Sequence, residues 1–131
     1  MERKSSLLIE TKSLASKGVK ELNIIGQDTT DYGKDFYDKR NITELLRKIS
    51  DIDGIEWIRL LYAYPSHFPE DLITELAENP KLCKYIDIPL QHISDTVLKS
   101  MRRGITQRRT KELLYLLKKM VKIMIGITII M

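Results

Sequence analysis

Short apolar runs recur along this chain at intervals of roughly 30 to 40 residues, and a stretch of helical periodicity separates each from the next. Leu7, Leu8, Leu14 and Ala15 recur at helical spacing ahead of Gly18, a residue suited to ending a helix. Leu22 to Ile25 then reads as a buried strand closed by Gly26. A polar loop from Gln27 to Arg40 follows, long for a compact domain, with Gly33 inside it. Asn41 and Glu44 have the spacing of an N-cap and its partner, opening a helix whose buried stripe is Ile42, Leu45, Leu46 and Ile49.

The alternation continues. Asp53-Gly54 marks a turn into a strand over Ile55 to Ala63, and Pro69 fits the first turn of the next helix with Glu70 and Asp71 behind it. Leu72, Ile73, Leu76 and Ala77 face inward there, and Asn79-Pro80 stops the helix. Tyr85 to Leu90 predicts a third strand, with Ile86, Ile88 and Leu90 on one face and Asp87, Pro89 and Gln91 on the other. Ser94 caps a short helix, which Ile93 and Leu98 are spaced to staple and Gly104 ends. Thr106 starts another helix, carrying Leu113, Leu114, Leu117 and Val121, and Lys122 to Met131 is an apolar, β-branched run.

Right-handed crossovers turn this order into a parallel sheet of about four strands with helices outside, an α/β fold. An open sheet and a barrel share the pattern. At 131 residues the chain suits one domain, and its 43% hydrophobic and 31% charged residues exclude a disordered or fibrous protein. One cysteine, Cys83, excludes an internal disulfide and cannot hold a metal cluster alone. No apolar run approaches the roughly eighteen residues of a membrane span, and the N-terminus lacks a secretory pattern, so the cytoplasm is the expected compartment. A net charge of +4 is compatible with an RNA- or ribosome-linked role and equally with an ordinary solvated surface.

Parallel α/β folds bind ligands outside the carboxyl ends of their strands. Here those ends read Gly26-Gln27-Asp28-Thr29-Thr30, Tyr62-Ala63-Tyr64-Pro65-Ser66-His67 and Pro89-Leu90-Gln91-His92-Ile93-Ser94. Gln27 shares a strand face with Asn23, and Gln91 with Asp87, so amide and carboxylate groups meet at one end of the sheet if those faces turn into a barrel. Plainer roles compete. Asp28 is suited to bracing its own turn, His67 and His92 to loop surfaces, Tyr62 and Tyr64 to rim packing, and the pairs Arg102-Arg103 and Arg108-Arg109 to a solvated helix face.

Four segments carry more. Gly18 to Thr29, Trp57-Ile58-Arg59-Leu60 with Tyr62-Ala63-Tyr64-Pro65, Cys83 to Asp95, and Leu98 to Gly104 together resemble the middle of the barrel of bacterial radical S-adenosylmethionine methylthiotransferases. The branch most resembled methylthiolates an aspartate of a small-subunit ribosomal protein; the sister branch acts on an isopentenylated adenosine of transfer RNA. The resemblance runs from about Gly18 to Met120. It implies a partial TIM-like β/α barrel and an enzyme that uses S-adenosylmethionine and two four-iron, four-sulfur clusters. It also implies that Gln27, Asp28, Gln91, His92 and Ser94 line the cofactor side, and that Tyr62, Tyr64 and Pro65 shape the substrate pocket.

The sequence departs from that family in what it lacks. There is no CxxxCxxC, so the chain is expected to ligate no cluster. The whole chain, 1–131, is expected to be one partial barrel domain without the family's N-terminal cluster domain or its C-terminal RNA-type barrel, inactive alone. Residues 122–131 look unlike the family's glycine-rich continuation and are expected to be an aberrant tail. Open sheet edges are expected to make the isolated chain oligomerise or aggregate. A non-catalytic module binding a ribosomal partner through its basic helices, and the transfer-RNA branch, are the alternatives.

Overall fold

A computed structural model describes residues 3–88, 93–100, 105–121 and 124–127. In chain order they form α1 (Lys4–Ser16), β1 (Glu21–Ile24), a 3-10 turn (Thr29–Asp31), α2 (Lys34–Tyr37), α3 (Ile42–Ser50), β2 (Trp57–Leu60), a second 3-10 turn (Pro65–His67), α4 (Glu70–Glu78), β3 (Leu82–Ile88), α5 (Asp95–Ser100), α6 (Gln107–Leu116) continuing into a π-helical turn (Leu117–Val121), and β4 (Met124–Ile127). The strands lie side by side in the order β1-β2-β3-β4, all neighbours parallel. Among the described residues no helix is long and apolar enough to cross a membrane.

The core lies between the sheet and its helices. Ile42, Leu45, Leu46 and Ile49, one stripe of α3, are all buried, as are Leu72, Ile73 and Leu76 of α4. Against them pack Leu22, Ile58, Leu60, Ile86 and Ile88, which alternate along their strands onto one face of the sheet. The opposite face takes Glu21 and Asn23, then Trp57 and Arg59, then Tyr85 and Asp87. There Arg59 Nε donates to Glu21 Oε1 at 3.1 Å, and its guanidinium lies 5.5 Å from the centre of the Tyr85 ring.

Most elements fall where expected, with differences. β1 is not a buried strand, since Asn23 and Ile25 (63%) are exposed at the sheet's free edge. The expected loop from Gln27 to Arg40 holds a 3-10 turn and α2, and several element ends move. The strand expected over Ile55 to Ala63 shortens to Trp57–Leu60, because the amides of Glu56 and Trp57 both donate to the Lys20 carbonyl and Tyr62 turns to a positive φ of 57°. The third strand begins three residues early, at Leu82, where it pairs with Ile58 before a register shift carries Leu60 opposite Ile86. Lysines at the start of β3, Lys81 just before it and Lys84 within it, cap the preceding helices. Lys81 Nζ donates to the carbonyls of Ser50 (2.7 Å) and Ile52 (3.3 Å), and Lys84 Nζ to those of Leu76 and Asn79. The expected positions Pro89, Leu90, Gln91, His92 and Arg102 to Gly104 lie outside the described residues, and so does most of the 122–131 run.

Asn41 stands at the N-cap of α3 as expected, but its side chain makes no capping bond. Glu44 instead accepts from Lys4 Nζ at 2.6 Å, clasping α1 to α3. That bond, more than any other influence, holds the Glu44 carboxyl below the ordinary glutamate range. A carboxyl whose pKa is lowered on folding adds stability above its ordinary value of 4.5, and the gain fades as pH falls through the lowered one. Glu44→Gln is therefore expected to lower the melting temperature at pH 7, with the gap to wild type closing on acidification below that value. A gap independent of pH would contradict the clasp.

Candidate functional site

The carboxyl ends of β1 and β2 are tied into one rim. Asp28 leaves β1 in an extended conformation and caps the 3-10 turn that follows: its Oδ1 accepts from the Thr30 amide at 3.0 Å and from Thr30 Oγ1 at 2.5 Å. The same oxygen accepts from the Tyr64 amide, 36 residues on, at 3.4 Å. Thr29 adds three bonds. Its amide donates to the Tyr62 carbonyl at 3.1 Å, and its Oγ1 reaches the carbonyls of Leu61 (3.0 Å) and Tyr62 (3.2 Å). Ala63 then donates its amide to the Asp87 carbonyl at 3.0 Å, joining the rim to β3.

The side chains on this rim differ sharply in exposure. Gln27 is exposed, Asp28, Tyr64 and Pro65 are half-buried, and Thr29, Thr30 and Ala63 are buried. Tyr62 is 42% exposed. Asn23 and Gln27 are both exposed and Asp87 is buried, all at the same end of the sheet. His67 is exposed on its 3-10 turn. Ser94, half-buried, precedes α5 at the end of the β3 connection. Gln91 and His92 fall outside the described residues, so the structure brings together Gln27, Asp28, Tyr62, Tyr64 and Pro65 and leaves the third strand end open to proposal.

Sequence reading missed Thr29, although the signal was present: an Asp-Thr-Thr step directly after a strand offers a carboxylate and two hydroxyls to unpaired turn amides and carbonyls. Asp28 does brace its turn, and it also crosses to the neighbouring strand end, which no local rule foretells.

Behind the rim, a cavity of about 560 Å³ runs along the outer edge of β1 between α1 and α3. Leu7, Leu14, Leu22, Ile24, Leu45 and Ile49 supply apolar walls, and Gln27 and Asp28 reach its mouth. Tyr32, 6% exposed, also lines it, and its hydroxyl has no hydrogen-bond partner. Burial first, then the nearby Tyr37, Asp35 and Glu44, push its pKa up to about 12. The turn that places Tyr32 depends on Gly33. At φ 91° this residue is left-handed, and a Cβ on it would meet Asn41 Cβ at 2.6 Å.

Cys83 is the chain's single cysteine and lies buried within β3, and among the described residues no three His, Cys, Asp or Glu side chains gather to hold a metal ion. A model of the radical SAM superfamily matches residues 3–131. The chain belongs to the radical SAM superfamily.

Within that superfamily its relatives are specific. The chain is 58% identical over 108 residues to the ribosomal protein uS12 methylthiotransferase RimO of Flavobacterium johnsoniae, a match covering 82% of this chain and 25% of the relative. Its identity to the protein of the same name from Clostridium kluyveri is 53% over 126 residues, covering 95% of this chain and 28% of the relative. The chain thus spans about a quarter of the length of these radical SAM relatives.

Proposed function

We propose that this chain is the central part of a methylthiotransferase that modifies ribosomal protein uS12 in the cytoplasm. The observation that carries the reading is identity of 53–58% across most of the chain to proteins of that name. The rest of such a protein, about three quarters by the lengths of the relatives, supplies the cluster cysteines that this chain lacks. In this reading 1–131 is one part of a β/α barrel. The barrel would continue past the outer edge of β1, because a parallel sheet with apolar walls along a free edge gains from a further strand.

The rim fits a polar organic ligand. Gln27 offers an exposed amide, Gly26 has Thr29 Cγ2 near its Cβ position at 3.7 Å, and Tyr62, Tyr64 and Pro65 lie on the neighbouring strand end. Gln27 with Gln91, His92 and Ser94 would bind and orient S-adenosylmethionine, while Asp28 fixes the backbone of that strand end. When bound, that cofactor supplies the radical and the methyl group. Tyr62, Tyr64 and Pro65 would meet the substrate and keep water from it, and the apolar core beneath keeps the rim rigid.

A chimera tests this directly. The matched 108-residue stretch of the Flavobacterium johnsoniae relative is replaced by the corresponding stretch of this chain, in cells lacking their own uS12 enzyme. Mass spectrometry of uS12 from their ribosomes is expected to show the gain of one methylthio group. Unmodified uS12 together with newly methylthiolated transfer RNA would move the assignment to the nucleic-acid branch, and modification of neither would remove it.

A further inference from the structure

Tyr62 occupies a backbone conformation that favours glycine. Its φ is 57°, in a bulky residue at the carboxyl end of β2. Such strain persists only where the surroundings fix it, and here they do so on both sides. The Leu61 amide donates to the Ile24 carbonyl, the Ala63 amide to the Asp87 carbonyl and the Tyr64 amide to Asp28 Oδ1. Thr29 holds the centre, binding the Tyr62 carbonyl with both its amide and its hydroxyl.

The turn changes which side chain is buried. Along β2, Ile58 and Leu60 face the helices, and a straight continuation would carry residue 62 onto that covered face. With the left-handed step, Tyr62 stays 42% exposed, and Ala63, 0% exposed, takes the buried place. The two loops that build the rim, Leu60 to Pro69 and Ile25 to Gly33, carry no lysine or arginine of their own; the second carries Asp28 and Asp31, and Asp31 pairs with Arg40 at 2.8 Å. A phosphate backbone is bound through lysine and arginine. A rim of tyrosine, proline, serine and carboxylate suits a polypeptide loop, for which a rigid phenol offers large contact area at low entropic cost.

Resting on the proposed uS12 activity, we propose that Thr29 is a positioning residue: it holds Tyr62 in the left-handed conformation so that the ring meets the loop of the protein substrate. The test uses the active chimera with purified small ribosomal subunits. Tyr62→Gly removes the ring and also the backbone strain, so its melting temperature is expected to equal or exceed wild type while KM for the ribosomal substrate rises about tenfold or more, with a smaller change in kcat. Thr29→Val is expected to raise KM several-fold, and Thr29→Ser, which keeps the hydroxyl, to restore it.

An unaltered KM in Tyr62→Gly would overturn the proposal, as would a loss confined to kcat, which would put the ring on the cofactor side. Equal KM defects in Thr29→Val and Thr29→Ser would overturn the role of the hydroxyl. A parent chimera without uS12 activity would instead overturn the functional reading on which this one rests, so the two failures are told apart by the parent alone.

Discussion

Truncating Leu46 to alanine is expected to lower the unfolding free energy by about 3 kcal/mol. Leu46 is 0% exposed, on the α3 stripe whose other members, Ile42, Leu45 and Ile49, are buried beside it. Cutting its isobutyl side chain back to a methyl forfeits the transfer energy of the three lost carbons and leaves a cavity among side chains of two packed layers. Those neighbours cannot collapse into it freely, because α3 is anchored to α4 at both ends of its contact. Thr43 Oγ1 donates to Asp71 Oδ1 at 3.0 Å, and Arg47 Nε to Glu75 Oε2 at 2.8 Å. Urea denaturation of the chimera and its variant provides the measurement, as a fall in midpoint at constant slope. A loss under about 1 kcal/mol would mean that the α3 interface is not the tight core described.

Replacing Asp28 by alanine is expected to cost about 2 kcal/mol and most of the activity, through the rim and not through a lost charge. One oxygen serves the Thr30 amide, the Thr30 hydroxyl and the Tyr64 amide. Without it, the 3-10 turn loses its cap and the two strand ends lose one of the ties that hold them together. Asparagine keeps a carbonyl oxygen at the same place, so Asp28→Asn is expected to retain much of both stability and activity. If the carboxylate charge itself served a bound molecule, asparagine would be as damaging to turnover as alanine while remaining stable. The pair of variants, read by melting temperature and by KM and kcat on uS12, separates these roles.

What the sequence disclosed and what it hid follow from the range of the forces involved. The α3 stripe and the alternation of Ile86 and Ile88 were legible because burial imposes a period of its own on the chain. Strand ends were less legible. Ile55 is buried yet lies outside β2, since the amides beyond it turn to Lys20, and β3 opens early because a register shift lets Leu82 pair with Ile58. Capping was half legible: Thr106 accepts from the Arg109 amide as its type suggests, but Asn41 does not cap, and Glu44 goes to Lys4, 40 residues away.

The same division runs through the site. Gln27, Asp28, Tyr62, Tyr64 and Pro65 were marked by lying after apolar runs, where parallel sheets place their chemistry, and the fold does gather them. The left-handed turn at Tyr62 had no glycine or asparagine to announce it. It exists because hydrogen bonds from β1's loop and from β3 converge on residues 61 to 64, a tertiary cause invisible in a linear reading.

Hydrogen–deuterium exchange on the reconstituted chimera, with and without S-adenosylmethionine and small ribosomal subunits, tests the central claim that the carboxyl ends of β1 and β2 are the working face. Protection is expected in peptides covering 26–30 and 61–67, with the opposite turns, 17–20 and 51–56, unchanged. Protection confined to those opposite turns, or absent from both ends in a chimera that methylthiolates uS12, would contradict it.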